Sequence, residues 1–337
     1  MSKISVAMTT YNGEKFLKEQ LDSIIKQSRQ IDELVVCDDG SKDGTVSIVN
    51  KFSLAAPFPV KIVINERNLG STKNFEKAIS LCEGDIVILC DQDDVWLYDK
   101  VKILEDVFLV NPQCLMVFTD AMVVDEMNES LYKLWSVFNF DKKKQTLLKK
   151  GSGLKVFIGN NVVTGATAAI KKSLFEKAYP FPAKLIHDYW MAAIAVLDGS
   201  LFFSDAVTIN YRLHSAQQLG TGTSDSINFF QKMNESSVNN AFILNLAQMI
   251  FKELNSRFHL TREQCKLFTD KIEFFVFRSN LPSARLIRIP GITKNLFTGN
   301  YHKFASGFLS IVKDLILIND SLSNRANQVS AESHVCE

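Results

Sequence analysis

Several short motifs that identify common enzyme classes are missing from the 337-residue sequence. No GxGxxG follows the first apolar segment, and neither GxxxxGKS nor GxxxxGKT occurs, which argues against a Rossmann-type dinucleotide site and a P-loop. A GxSxG segment is also lacking, which argues against a serine hydrolase of the α/β-hydrolase kind. The common phosphate-binding loops are therefore excluded as the basis of function.

Excess charge, paired cysteines and long apolar runs are lacking as well. The formal net charge is only +1, so no nucleic-acid partner is expected. None of the six cysteines has a CxxC partner, which argues against zinc and favours buried free thiols in a reducing compartment. The N-terminus has no signal-peptide layout, and no apolar run reaches the roughly 18 residues of a membrane span. We therefore expect a cytoplasmic protein. Contact with the inner face of the cell membrane and assembly into a homo-oligomer are both left open.

Short apolar segments alternate with helical segments in the first part of the chain. The segments are continuous rather than alternating in polarity, which is typical of a parallel sheet covered on both faces. The alternation of strands and helices predicts a doubly wound, mostly parallel α/β sheet. The predicted strands are residues 4–8, 34–37, 60–64, 86–90 and 115–118. We expect a catalytic domain over residues 1–222, a helical C-terminal extension over 223–320 and a disordered tail over 321–337.

Polar clusters follow three of these strands, at residues 9–12, 38–41 and 91–94. In open α/β sheets, ligands bind beyond the carboxyl ends of the strands. The clusters are therefore expected to meet at one edge of the sheet. This agreement between polar clusters and strand ends is the strongest structural argument in the sequence.

The cluster at 91–94 is acidic and contains Asp91, Asp93 and Asp94. Carboxylates one residue apart at a strand end can share a divalent cation, and hard oxygen ligands suit Mg²⁺ or Mn²⁺. Such a cation would neutralise a diphosphate. The alternative is a solvated acidic turn that caps the next helix. The position of the cluster at the end of an apolar strand favours the metal site. Asp94 is either a metal ligand or the cap of the following helix.

The other two clusters carry groups that suit a nucleoside. Asp38 or Asp39 can accept a hydrogen bond from a pyrimidine N3–H or from ribose hydroxyls, whereas the alternative is a turn chosen for backbone geometry. Thr9, Tyr11 and Asn12 can stack on a base and hydrogen-bond to it. A threonine-rich strand end is common, so the cluster at residues 9–12 is weak evidence for a nucleoside site when taken alone.

Two later segments hold further candidates. Asp188 precedes an apolar helical run and can act as general base for an acceptor hydroxyl, or as a helix N-cap, and these two roles are compatible. Arg212 can pair with phosphate, and His214 can bind metal or phosphate. For His214 a purely structural role is the alternative.

Together these motifs resemble the inverting family-2 glycosyltransferases of the GT-A fold. The resemblance runs from residue 3 to about residue 215 and rests on the order of the segments 9–13, 36–45, 68–70, 91–96 and 187–190. It implies that Asp39 contacts the base, that the acidic cluster holds metal and nucleotide, and that Asp188 is the catalytic base. The family more often has proline where Thr9 stands and glutamate where His187 stands.

A narrower resemblance is to bacterial rhamnosyltransferases of polysaccharide assembly. It rests on residues 91–96, on 187–190 with His187 and Trp190, on 211–214, and on 160–168 with Gly165 as an acceptor-side segment. It implies a dTDP-L-rhamnose donor and a polysaccharide or lipid-linked oligosaccharide acceptor, as in O-antigen or capsule synthesis. A UDP-hexose or UDP-N-acetylhexosamine donor is the alternative. A nucleotidyltransferase and a non-catalytic scaffold are the rivals from other classes.

Apolar residues recur at helical spacing near the end of the sequence. They could face a membrane, where lipid-linked acceptors reside, or pack on the protein itself or a partner subunit, which is the favoured interpretation. The residues are Phe304, Phe308, Ile311, Val312, Leu315 and Ile318.

Overall fold

The computed structural model of the chain describes residues 2–214 and 237–316. The chain divides into two compact units, Met1–Thr223 and Ser224–Glu337. The predicted tail at 321–337 lies outside the described residues. Within the described ranges, no helix has both the length and the apolar character needed to cross a membrane.

The first unit consists of a mixed β-sheet with helices packed on it. Its strands are β1 Ile4–Thr10, β2 Glu33–Asp38, β3 Val60–Ile64, β4 Ile86–Cys90, β5 Val95–Trp96, β6 Met116–Val124, β7 Ser130–Lys133, β8 Ala168–Lys171 and β9 Leu201–Arg212. Its helices are α1 Leu17–Ile25, α2 Thr45–Ser53, α3 Ser71–Leu81, α4 Lys100–Val110, α5 Leu134–Val137, α6 Lys142–Lys149, α7 Gly153–Gly159, α8 Lys172–Ala178 and α9 His187–Leu197. A 3₁₀ turn, Gly165–Thr167, directly precedes β8.

The strands are ordered β3-β2-β1-β4-β8-β6-β9-β5, and β7 pairs with β6. The first four strands are parallel to one another, as are β6 and β9. In contrast, β8 runs antiparallel to both β4 and β6, while β5 and β7 are also antiparallel to their partners. The predicted α/β sheet is therefore confirmed as a mixed sheet, with its parallel pairing concentrated in the N-terminal half.

The register of the parallel strands brings the predicted polar clusters together. Thr10 at the end of β1 lies opposite Asp38 at the end of β2, and Met8 lies opposite Cys90 at the end of β4. Every residue of β2 and β4 is buried, which explains why both strands have continuous apolar runs. The loops that follow β1, β2 and β4 therefore begin side by side at one edge of the sheet.

Helices form the described part of the second unit. They are α10 Ser237–Arg257, α11 Arg262–Ser279, α12 Arg285–Phe297, α13 Asn300–Phe304 and α14 Phe308–Ile316. Thr261 and Gln264 form a capping box at the start of α11. Pro290 and Gly291 lie within α12, although both residue types are unfavourable in the interior of a helix. A Cβ at Gly291 would lie 2.3 Å from Cε2 of Phe277, so this glycine provides space for the phenylalanine ring.

Candidate active site

A cleft lies at the carboxyl ends of β1, β2 and β4, where it is closed on the opposite side by the 3₁₀ turn and the start of α9. Many of the predicted site residues line it: Thr9, Tyr11, Asp39, Asp91, Asp93, Gly165, His187 and Asp188. Residues that the sequence did not single out as site residues also line it: Thr10, Ser71, Asn74, Gln92, Thr164, Ile186 and Tyr211. The other predicted residues do not line the cleft: Asn12, Asp38, Asp94, Trp190, Arg212 and His214.

Gln92 joins the loops that follow β1 and β4. The backbone N–H of Tyr11 donates to Oε1 of Gln92 over 2.8 Å, and Nε2 of Gln92 donates to the carbonyl of Tyr11 over 3.1 Å. A Cβ at Gly13 would lie 2.2 Å from the same Oε1, so the glycine allows the close approach. The only sequence signal for Gln92 is its place between Asp91 and Asp93.

Asp38 and Asn12 support the loops from behind the cleft. The Asp38 carboxylate accepts hydrogen bonds from the backbone N–H of Ser41 (2.8 Å) and the Thr10 hydroxyl (2.8 Å), and its side chain is buried. The Asn12 N–H donates to the Ser41 hydroxyl, and its side-chain oxygen accepts from the N–H of Lys42. The position of Asp38 favours loop support over direct contact with a nucleoside.

Asp39 lines the cleft and also fixes the turn that leads into α3. Its carboxylate accepts hydrogen bonds from the N–H groups of Leu69 (2.8 Å) and Gly70 (2.9 Å). Gly70 has a φ of 79°, a conformation that favours glycine. Nδ2 of Asn65 donates to Asp39 as well, over 2.8 Å. The orientation of Asp39 is therefore set before any ligand arrives.

Asp91 and Asp93 place two carboxylates in the cleft. Burial, together with the negative charges of Asp93 and Asp188, raises the pKa of Asp91 to about 7. Nε2 of His214 lies 2.9 Å from Oδ2 of Asp93, which orients that carboxylate. The pair thus concentrates negative charge at the edge of the sheet.

Asp94 points away from the cleft. Its Oδ1 accepts the backbone N–H of Arg212 over 2.9 Å, and its Oδ2 has no hydrogen-bond partner among the described residues. Burial raises the pKa of Asp94 well above its ordinary value, and the charges of Asp93 and Asp91 act in the same direction. This position favours a supporting role for Asp94 over metal ligation.

The Arg212 side chain contacts the backbone of the acidic cluster and does not enter the cleft. Its Nε donates to the carbonyl of Asp93 over 3.0 Å and its Nη1 to the carbonyl of Glu126 over 2.8 Å, while Nη2 pairs with the Glu19 carboxylate. The guanidinium also lies 4.6 Å from the centroid of the Phe16 ring. In this arrangement Arg212 supports the loop that carries the acidic cluster and does not line the cleft.

A second buried cation, Lys100, lies behind the cleft. Its Nζ donates to the carbonyl of Ala166 over 2.5 Å and lies 4.4 Å from the Trp96 ring centroid. Burial lowers the pKa of Lys100 to about 8, opposed by the charges of Cys90, Asp94 and Asp91. Lys100 therefore ties α4 to the 3₁₀ turn at Gly165–Thr167.

Replacing Lys100 with methionine is expected to lower the free energy of unfolding by about 2 kcal/mol, because a buried carbonyl loses its donor and the buried acids lose a cation. The matched control is Lys102→Met on the same helix, where an exposed lysine pairs with Asp106 over 2.6 Å. That change is expected to cost less than about 0.5 kcal/mol. Urea denaturation followed by circular dichroism measures both. Equal unfolding free energies for the two variants would contradict a stabilising role for Lys100.

Asp188 lies in the first turn of α9 and faces the cleft. Its Oδ2 accepts the N–H of Gly165 over 2.7 Å, and its Oδ1 accepts the N–H of Tyr189 over 2.5 Å. Burial raises the pKa of Asp188 to about 6, while these hydrogen bonds oppose the rise. A carboxylate with this pKa is ionised at neutral pH and is a stronger base than an exposed aspartate.

His187 forms the wall beside Asp188. Its ring stacks on Phe75 with centroids 3.9 Å apart, and neither ring nitrogen has a hydrogen-bond partner among the described residues. Burial lowers the pKa of His187 to about 3, so the imidazole is neutral at physiological pH. A Cβ at Gly165 would lie 2.9 Å from Nε2 of His187, so this position requires glycine. Trp190, by contrast, is buried in the core, where its Nε1 donates to the carbonyl of Ala178.

The charges of the cleft decide which anions it can hold. Four aspartates line it, at positions 39, 91, 93 and 188, and no lysine or arginine of the described ranges does so. A phosphate-bearing ligand would therefore need a cation to offset these charges. The described residues contain no group of three or more His, Cys, Asp or Glu side chains that could hold a metal on their own. Asp91 and Asp93 instead fit the usual Mg²⁺ arrangement, in which one or two carboxylates act together with substrate phosphates.

The sheet order and the acidic cleft at its carboxyl edge are those of a GT-A glycosyltransferase. The family model described as glycosyl transferase family 2 matches residues 5–178, and the chain belongs to this family. The family membership predicted from the ordered motifs is thereby confirmed.

Two relatives illustrate the similarity in sequence. The dTDP-rhamnosyl transferase RfbG of Shigella flexneri is 27% identical over 232 residues, which cover 64% of this chain and 75% of that protein. An uncharacterised glycosyltransferase of Rickettsia typhi is 27% identical over 226 residues, which cover 65% of this chain and 66% of that protein. The chain therefore spans just under two thirds of the Rickettsia protein.

Two solved structures share the fold. Staphylococcus aureus TarS, residues 1–349, in complex with UDP-GlcNAc has a TM-score of 0.57 at 18% identity and covers 93% of this chain and 81% of its own. The mannosyltransferase PcManGT of Pyrobaculum calidifontis, in complex with GDP-Man and Mn²⁺, has a TM-score of 0.56 at 17% identity. It covers 98% of this chain and 80% of its own. At these identities the likeness establishes the fold alone.

Proposed function

We propose that the protein transfers L-rhamnose from dTDP-L-rhamnose to a hydroxyl of a polysaccharide or lipid-linked oligosaccharide, with inversion at the anomeric carbon. One observation carries the proposal: Asp188, with a pKa raised to about 6, lines the same cleft as Asp91 and Asp93. A candidate proton acceptor and two carboxylates suited to a divalent cation therefore line one cleft. The choice of rhamnose is supported by the similarity to RfbG.

In this proposal the donor nucleotide lies along the ends of β1 and β2. Thr9 and Tyr11 contact the nucleoside from one side, and Asp39 receives its polar hydrogens on the other. Asp91 and Asp93 would hold Mg²⁺ or Mn²⁺ against the diphosphate. When bound, the cation offsets the negative charge that develops on the leaving nucleoside diphosphate. The Mn²⁺ named with PcManGT supports a cation of this kind.

The transfer is a single displacement. The acceptor oxygen forms a bond to the anomeric carbon as the bond from that carbon to the diphosphate oxygen breaks, and the hydroxyl proton passes to Asp188. The N–H of Gly165 holds one carboxylate oxygen of Asp188, which orients the base toward the cleft. The neutral ring of His187 has one N–H donor and one acceptor nitrogen. Hydrogen bonds from these two atoms to sugar hydroxyls would satisfy both buried nitrogens.

A donor panel tests the assignment. The protein is incubated with Mn²⁺ or Mg²⁺ and with dTDP-L-rhamnose, UDP-glucose, UDP-GlcNAc or GDP-mannose, and both the melting temperature and the released nucleotide are measured. We expect dTDP-L-rhamnose to raise the melting temperature most and to release free dTDP as its sugar is transferred slowly to water, which is the acceptor in this assay. The Asp188→Asn variant, which keeps the donor site, serves as the matched control for turnover.

The other outcomes of the panel separate the alternatives. A clear preference for a UDP sugar would reject rhamnose while retaining glycosyl transfer. Release of pyrophosphate would indicate a nucleotidyltransferase. Donor binding with no release of nucleotide under any condition would indicate a non-catalytic scaffold.

A further inference from the structure

A buried polar network joins the helices α11 to α14, within an interior that is otherwise largely apolar. The Arg278 guanidinium forms two hydrogen bonds with the Asp314 carboxylate, at 2.8 and 2.9 Å, and the Tyr301 hydroxyl donates to the same carboxylate over 2.8 Å. Nη1 of Arg288 donates to the backbone carbonyl of Asp314 over 2.8 Å. Arg288, Tyr301 and Asp314 are buried, so the network lies between the helices rather than at their surface.

The outer surface of α12 and α14 is apolar. The buried positions are Arg288, Ile292 and Asn295 in α12 and Ser310, Ile311 and Asp314 in α14, which are mostly polar. Large apolar side chains are exposed instead, several of them by more than two thirds. They are Leu286, Ile287, Ile289, Leu296, Phe297, Phe308, Leu309 and Ile316.

This arrangement is the reverse of that in a helix exposed to water, where polar residues face outward. We call these exposed side chains the C-terminal apolar face. Exposed apolar side chains in this number are typical of a surface that binds an apolar partner. The predicted stripe is divided between the two sides: Phe304 and Ile311 are buried, Val312 and Leu315 are half-buried, Phe308 is exposed, and Ile318 lies outside the described residues.

The residues around this face carry positive charge. Between residues 285 and 316 the sequence contains five basic residues, Arg285, Arg288, Lys294, Lys303 and Lys313, and one acidic residue, Asp314. Asp314 is buried and paired with Arg278, whereas Arg285, Lys294 and Lys303 are exposed. The surface of this segment is therefore cationic as well as apolar.

We propose that the C-terminal apolar face binds the surface of an anionic lipid bilayer. Leu286, Phe297 and Phe308 would enter the boundary between headgroups and acyl chains, and Arg285 and Lys294 would face the lipid phosphates. A second copy of the chain fits less well. Two identical cationic faces in a two-fold dimer would place like charges against each other.

Vesicle co-sedimentation of the full chain tests the proposal. We expect binding to vesicles that contain phosphatidylglycerol, weaker binding to pure phosphatidylcholine, and release as salt is raised. The Leu286→Ser/Phe297→Ser double variant is expected to lower the affinity for anionic vesicles at least about tenfold. The matched control, Leu54→Ser/Val110→Ser, alters two exposed apolar residues of the first unit and is expected to bind like the unaltered chain.

A second pair of variants tests the role of charge. Arg285→Gln/Lys294→Gln is expected to remove the preference for phosphatidylglycerol, and thermal melts verify that each variant is folded. Equal sedimentation of the unaltered chain with and without anionic vesicles would overturn the proposal. A lipid-free dimer that dissociates in Leu286→Ser/Phe297→Ser would overturn it too, because the face would then belong to a second copy. Sedimentation velocity detects that dimer.

Discussion

The Asp188→Asn variant is expected to lose glycosyl transfer by about a thousandfold in kcat, whereas its Kd for the donor changes less than about threefold. The amide has the shape of the carboxylate, and its oxygen can still accept the N–H of Gly165. It cannot accept the proton of the acceptor hydroxyl. Single-turnover rates and donor titration by calorimetry measure the two effects separately.

Asp198→Asn is the matched control, because Asp198 lies at the opposite end of α9 and pairs with Lys177 at the surface. Its turnover is expected to match that of the unaltered chain. The unaltered chain should also show an acid limb with a midpoint near pH 6, because Asp188 is protonated and inactive below its pKa of about 6. Turnover of Asp188→Asn within tenfold of the unaltered chain would show that another group accepts the proton.

The N-terminal half of the fold was predictable from the sequence because its strands are continuous apolar runs. Each run ends in polar residues, and parallel strands place such ends at one edge. The direction of β8 was not predictable. Its four residues, Ala168–Lys171, enter the centre of the sheet directly after the 3₁₀ turn Gly165–Thr167. Such a short strand carries no sign of its direction.

The sequence located the clusters that form the candidate site, but it did not distinguish a residue that lines the cleft from its immediate neighbour. In each of three neighbouring pairs, one residue lines the cleft and the other does not. The residues that line it are Asp39, Asp93 and Tyr211, and their neighbours that do not are Asp38, Asp94 and Arg212. Contacts with distant parts of the chain turn the other member of a pair away: Asp38 accepts the Thr10 hydroxyl and Asp94 accepts the backbone N–H of Arg212. The sequence gives the residue types but not which member of the pair faces the ligand.

Lys100 escaped prediction for a different reason. A lysine in an amphipathic helix normally extends into solvent, and its neighbour Lys102 does so. Burial of Lys100 depends on acceptors from distant parts of the chain, including the carbonyl of Ala166. No local pattern contains that information.

The Asp91→Asn variant is expected to lose turnover by at least about a hundredfold and, without metal, to be more stable than the unaltered chain at pH 8. The folded-state pKa of Asp91 is raised from 3.8 to about 7, so its ionised form is disfavoured in the fold. The cost of that charge is absent below pH 4 and complete above pH 7. Removing the charge should therefore raise the free energy of unfolding by about 1–2 kcal/mol at pH 8, after allowance for partial exposure, and leave it unchanged at pH 4.

Addition of Mn²⁺ is expected to stabilise the unaltered chain but not Asp91→Asn. In the unaltered chain Mn²⁺ is expected to raise the melting temperature at pH 8 and to have little effect at pH 4, where Asp91 is protonated and must lose its proton to bind. Asp91→Asn should show no such rise at either pH. Asp94→Asn is the discriminating control, because a supporting Asp94 leaves the Mn²⁺ response intact whereas a ligand would not. If Asp91→Asn retains the Mn²⁺ response or fails to gain stability at pH 8, the repulsion among these carboxylates is not what the cation relieves.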